Sequence, residues 1–100
     1  MIGQGIPAVT PMPEYQSHKK VWALKIKAIE KDIDLANKED RETDGSAMIT
    51  PEENGYAPFK VDFIYMSKHD PKVGGYYVVY EDGYKSFSPA KAFEEGYTKI

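Results

Sequence analysis

Tyrosine is the residue type best placed to recognise something at the surface of this 100-residue sequence. There are eight, and six of them (Tyr56, Tyr65, Tyr76, Tyr77, Tyr80 and Tyr84) fall within one third of the chain. A tyrosine ring stacks on a purine base, and a lysine beside it neutralises a phosphate. Tyr56, Tyr77 and Tyr84, with Lys25, Lys27, Lys60 and Lys85, therefore form the candidate ligand-binding set. The plainer account of any single tyrosine is that it suits a half-buried strand. Along Tyr76–Glu81, Tyr76, Val78 and Tyr80 would face one way and Tyr77, Val79 and Glu81 the other, so one set is expected in the core and one outside.

Catalytic patterns are missing. Ser17, Ser46, Ser67, Ser86 and Ser88 include no G-x-S-x-G elbow, and nothing in the sequence sets a base beside one. Gly74–Gly75 is not followed by a P-loop pattern. His18 and His69 stand far apart with no ligand spacing around them, and His69 before Asp70–Pro71 reads as a helix terminus. Asp32/Asp34 and Asp40/Asp44 lack the central glycine and terminal glutamate of a calcium loop. With no cysteine there is neither a disulfide nor a thiolate site. A non-enzymatic protein with no cofactor and no metal is expected.

The elements that would position these residues follow from local patterns. Residues 1–13 hold three prolines and two glycines, which forbid a helix and favour an extended arm. Val21–Glu30 is open to two readings. Near-alternation through Trp22, Leu24, Ile26 and Ala28 reads as a strand, yet Trp22, Ile26, Ile29 and Ile33 share a helix face. The strand is preferred because Lys25 and Lys27 then lie on one wet face. Residues 31–45 are dense in mixed charge and read as a solvated loop insert.

Ser46–Thr50 reads as a strand stopped by Pro51, Glu52–Gly55 as a turn, and Tyr56–Val61 as a further extended piece. Asp62 can cap a helix over Phe63–His69, ended by Pro71. Tyr76–Glu81 and Tyr84–Phe87 flank Asp82–Gly83, a type I′ hairpin pattern. Ser88 as cap, Pro89 at the first helical position and Gly96 at the end predict a last helix. The sum is an α+β fold: a small, mainly antiparallel sheet of about four strands with a C-terminal β-hairpin and two short helices, forming one domain over residues 14–100.

Composition bounds the function. At 41% hydrophobic residues the chain can fill one core, but a domain this small has little room for a private cavity, so a site shared between subunits of a homo-oligomer is expected. A net charge of −3 lacks the basic footprint of general nucleic-acid binding. No apolar run reaches the ~20 residues of a membrane span, and the first residues lack the pattern of a signal peptide, so a cytoplasmic location in a bacterial host is the expectation.

Four stretches carry a resemblance: K-V-W-A-L-K-I at Lys20–Ile26, T-P-E-E-N-G-Y-A-P-F at Thr50–Phe59, G-G-Y-Y-V-V-Y-E-D-G-Y at Gly74–Tyr84, and S-F-S-P-A-K-A-F-E-E-G-Y at Ser86–Tyr97. Together they resemble small accessory proteins of tailed phages and prophages, over about three quarters of the chain, with Gly74–Tyr97 the specific part. The resemblance brings no binding residue with it. It implies a protein made during infection or lysogeny that acts by binding. On that basis the expected function is sequestration of a nucleotide-derived host immune signal, a counter-defence role. The alternatives are inhibition of a host protein and a place in the virion or its assembly.

Overall fold

The structure, a computed structural model, describes residues 20–97; the Pro/Gly-rich arm expected over residues 1–13 lies outside them. In chain order the elements are β1 (Val21–Lys31), α1 (Asp32–Glu39), β2 (Ala47–Pro51), β3 (Phe59–Val61), α2 (Phe63–His69), β4 (Tyr76–Tyr80), β5 (Lys85–Ser88) and α3 (Ala90–Gly96). The strands form one antiparallel sheet in the order β3-β2-β1-β4-β5. The α+β class and the antiparallel sheet are as the sequence predicts, with five strands and three helices in place of about four and two.

The 11-residue β1 serves two partners: Val21–Lys25 pair with β4, and Ile26–Lys31 pair with β2. Between the two halves the register slips by one residue at Lys27, a β-bulge. The bulge flips the alternation, so Ile26 and Ile29 both face the core: Ile26 is fully buried, and Ile29 packs against the buried cluster opposite Ile49. Bulges bend the strand that carries them, and here the sheet curls. The Phe59 ring of β3 lies 4.6 Å from the Tyr77 ring of β4, although two strands separate theirs in the sheet order.

The curled inner face holds the core: Ile26, Ala47, Ile49, Val61 and Tyr65, with Ile29, Phe59, Met66, Tyr77 and Phe87 packed against them. Complete burial of Ile26 and Ile49 is worth roughly 1.5–3 kcal/mol each. The outer face of β4, where the sequence reading puts the second set of residues outside the core, is in part covered rather than left to water. α3 covers part of it, stacking Phe93 on Tyr76 at 4.2 Å, with Tyr97 stacked behind Phe93 and Val78 buried. Glu94 of α3 accepts hydrogen bonds from Tyr76 Oη (2.7 Å) and Lys25 Nζ (3.3 Å).

Three local expectations are corrected. The charged insert at residues 31–45 is not wholly loop, because α1 occupies its first half. Arg41 folds back on the helix start, donating to both carboxylate oxygens of Asp32 (2.9 and 3.1 Å) and to Glu39, and buried Ala36 anchors the turn. The β4–β5 turn is not type I′, which would need positive φ at Asp82 as well as at Gly83. Only Gly83 (φ 89°) has it, and Tyr80 N–H donates to Tyr84 O, which defines a three-residue loop with the glycine in the left-handed position. Finally, Pro89 rather than Ser88 occupies the N-cap position of α3, with no side-chain cap, and Tyr97 rather than Gly96 closes it.

Candidate docking surface

Helix α2 is placed by its caps. Asp62 accepts from the Tyr65 N–H at 2.8 Å, and Asp70, left-handed at φ 42°, ends the helix ahead of Pro71. Its first four residues, Phe-Ile-Tyr-Met, are all apolar or aromatic, more than one face of a two-turn helix can bury. Tyr65 takes the inward face, its hydroxyl donating to the Ser86 carbonyl of β5 at 2.7 Å. Phe63 and Ile64 remain 59% and 70% exposed.

Phe63, Met66, Ser67 and Asp70 line one wall of an open groove of about 330 Å³, and Lys31, Ile33 and Thr43 line the other, with Gly45 and Ser46 between. Ile33, in the first turn of α1, is 48% exposed. Gly45 makes the close approach possible. Its φ is +75°, and a Cβ there would lie 2.6 Å from Phe63 Cδ1. The connection that carries Ile33 and Thr43 is acidic. Residues 32–44 hold six carboxylates against Lys38 and Arg41, a net of −4 where the whole chain carries −3.

A second, smaller cleft of about 210 Å³ lies between the edge strands β3 and β5, lined by Lys60, Val61, Asp62, Tyr65 and Lys85. Beside it, His69 packs against Tyr65 (centroids 4.9 Å apart) and edge-on to Tyr84 (5.9 Å). Burial, and then the charge of Lys68, hold the His69 pKa below its ordinary value, opposed by a hydrogen bond to the Lys85 backbone. Burial raises the Tyr65 phenol well above its usual range, and Tyr77 follows in the same direction for the same reason.

The seven residues expected to form a ligand site do not gather. Tyr77 is a core residue, its ring packed by Phe59 and Tyr65. Lys25 lies on the opposite face, paired with Glu94 and 5.8 Å from the Tyr76 ring centroid. Lys27 is the exposed bulge residue, and Tyr56 is exposed in the β2–β3 connection. Lys60 and Lys85 do share the small cleft, but Lys60 is paired with Asp44 at 3.1 Å. Tyr84 stacks on Tyr80 in the hairpin, under the Lys68 ammonium. Among the described residues no group of three histidines or carboxylates is placed to hold a metal ion, and no helix is long and apolar enough to cross a membrane.

Sequence reasoning missed the groove. The pattern that could have revealed it was the four-residue apolar start of α2, with Ile33 left unused by β1.

Five antiparallel strands curled so that the two edges approach across a helix define a small, partly open barrel of Greek-key type. No family model matches the chain, and no curated protein matches it. Among solved structures, the chain is similar to the monomeric form of the phage L decoration protein determined by NMR in solution. The two share 28% sequence identity and a TM-score of 0.59 over 93% of this chain. This chain spans 63% of the length of that protein. The likeness supports a phage-related protein, the coarser part of the sequence resemblance, and does not single out the narrower accessory group.

Proposed function

We propose that this chain is a decoration-type accessory protein of a tailed-phage particle, acting by attachment to the assembled head rather than by chemistry. The observation that carries this reading is the structural and sequence likeness to the phage L decoration protein over 93% of the chain. The architecture agrees with it. The inner face of the curled sheet is filled by its own core, both clefts are open and shallow, and the residues able to stack or neutralise a nucleotide are dispersed. What such a scaffold offers a partner is outer surface, which suits protein–protein attachment. The acidic β1–β2 connection gives phosphate no counter-charge.

The test is co-sedimentation of the purified chain with DNA-filled heads of the phage that encodes it, alongside mass spectrometry of banded particles. Saturable binding and recovery of the chain from the particles are expected. A chain that neither co-sediments nor is found in particles overturns the reading.

A further inference from the structure

The groove between α1 and α2 is exposed and apolar, and it sits beside the most acidic part of the molecule. Phe63 and Ile33, which face each other across it, are both at least 48% exposed, and Met66 adds a third apolar side chain to its lining. The other exposed large side chains among the described residues, Trp22, Tyr56, Ile64, Val73 and Tyr84, line neither cleft described above. A contiguous apolar patch rimmed by polar groups marks an interaction site on a small protein, whereas isolated apolar residues do not.

We infer that this groove is the surface by which the chain seats on the phage head, and that its counterpart is an apolar projection of the coat-protein shell flanked by basic side chains. The inference rests on the decoration reading above. The choice of occupant follows from charge. Ile33 and Thr43 of the groove wall belong to the acidic connection over residues 32–44, with a net charge of −4, so that connection borders the groove on one side, while the charged residues of the lining itself are Lys31 and Asp70. Asp32 and Asp44 are neutralised within the chain by Arg41 and Lys60. Asp34 and Glu42 are exposed and belong to none of the ion pairs among the described residues.

A second copy of this chain is the poorer fit. Grooves meeting face to face would set these like charges against each other, which is unfavourable at an interface. A basic rim on the partner removes that repulsion, and apolar contact in the groove supplies the affinity.

The test compares wild type with Phe63→Asp, with the pair Asp34→Lys/Glu42→Lys, and with Lys91→Ala on α3 as control, in co-sedimentation with purified heads at several salt concentrations. Phe63 lines the groove, is the first residue of α2 and is largely exposed, so a carboxylate there favours the helix dipole and leaves the buried core untouched. Circular dichroism and the melting midpoint check this. Head binding should fall at least tenfold for Phe63→Asp and severalfold for the charge-reversed pair, whose binding also loses part of its salt dependence, while Lys91→Ala binds as wild type.

Wild-type binding with an unaffected, folded Phe63→Asp overturns this inference and leaves the decoration reading standing. Absence of wild-type binding removes the decoration reading itself. Conversion of a self-associated protein to monomer by Phe63→Asp, with head binding intact, assigns the groove to a second copy and also overturns the inference.

Discussion

The hydroxyl of Tyr65 on α2 donates to the backbone carbonyl of Ser86 on β5 at 2.7 Å, joining the helix to one edge of a sheet whose other edge, β3, lies immediately before that helix in the chain. A curled sheet that does not close leaves two edges with unpaired backbone groups. Here the helix spans the gap, and Tyr65 is its one buried side chain. Its ring packs against Tyr77 while its hydroxyl engages the strand, so one residue serves both the core and the edge.

Tyr65→Phe keeps the ring and removes that bond. The expected cost is about 1 kcal/mol, the net worth of one such hydrogen bond. For a domain of this size that lowers the melting midpoint by roughly 4–8 °C. Hydrogen exchange should also accelerate locally at β5 relative to β2. A variant as stable as wild type, with unchanged exchange at β5, would show that the helix closes the edge by packing alone.

Gly45→Ala tests the packing that shapes the groove. Two costs coincide at this position: a left-handed backbone at φ +75°, and a Cβ only 2.6 Å from the Phe63 ring. The backbone term alone is worth about 1 kcal/mol for alanine, and displacing the ring adds to it. A loss of roughly 1–3 kcal/mol is expected by chemical denaturation. Gly55→Ala is the matched control. It shares a positive φ (94°) but its Cβ would meet nothing within 4 Å, so it should show the backbone cost without the clash. Equal losses at the two positions would mean that Phe63 moves freely and does not define the groove.

The elements whose signals are local were legible in the sequence, and the places where the reading failed have physical causes. The Asp62 cap, the Pro71 stop and the aromatic run of β4 each work over a few residues and appear where expected. The ambiguity of β1 came from its bulge. An extra residue at Lys27 puts Ile26 and Ile29 three apart on one face, the spacing of a helix, inside an extended strand. α1 was hidden because charge count is silent about pairing, and Arg41 finding Asp32 nine residues away is a tertiary fact. The candidate site dispersed for a similar reason. Neighbouring tyrosines in β4 alternate faces, and only the curl of the sheet decides that Tyr77 meets Phe59 while Tyr76 meets α3.

The Asp32–Arg41 contact makes an acid-limb prediction. Hydrogen bonds from Arg41 and then Thr43 lower the Asp32 pKa to about 2, against an ordinary aspartate value near 3.9. A carboxylate depressed in the folded state contributes stability that is complete above its unfolded pKa and is lost as pH falls through the folded one. Between pH ~4 and ~2 the wild-type melting midpoint should therefore fall more steeply than that of Asp32→Asn, and the two curves should converge at the acid end. Parallel curves would show that the pair is fully solvated and contributes nothing measurable.

His69 makes the corresponding prediction nearer neutrality. It packs between Tyr65 of its own helix and Tyr84 of the hairpin, with Lys68 as the nearby cation and the Lys85 backbone as hydrogen-bond partner. Burial and then Lys68 disfavour the imidazolium, so the folded pKa lies below the unfolded value near 6.5. With the folded value depressed, the unfolded chain binds the proton more readily, and stability rises with pH through this window. The contribution is complete above about pH 6.5 and is lost as pH falls through the folded pKa. An NMR titration of the His69 ring should give a midpoint under 6.5. Wild type should lose more stability than His69→Gln on going from pH 7 to pH 5. A midpoint at or above 6.5, or equal losses in the two proteins, would show that the ring is open to water and that the Tyr65–His69–Tyr84 contacts do not tie the hairpin to α2.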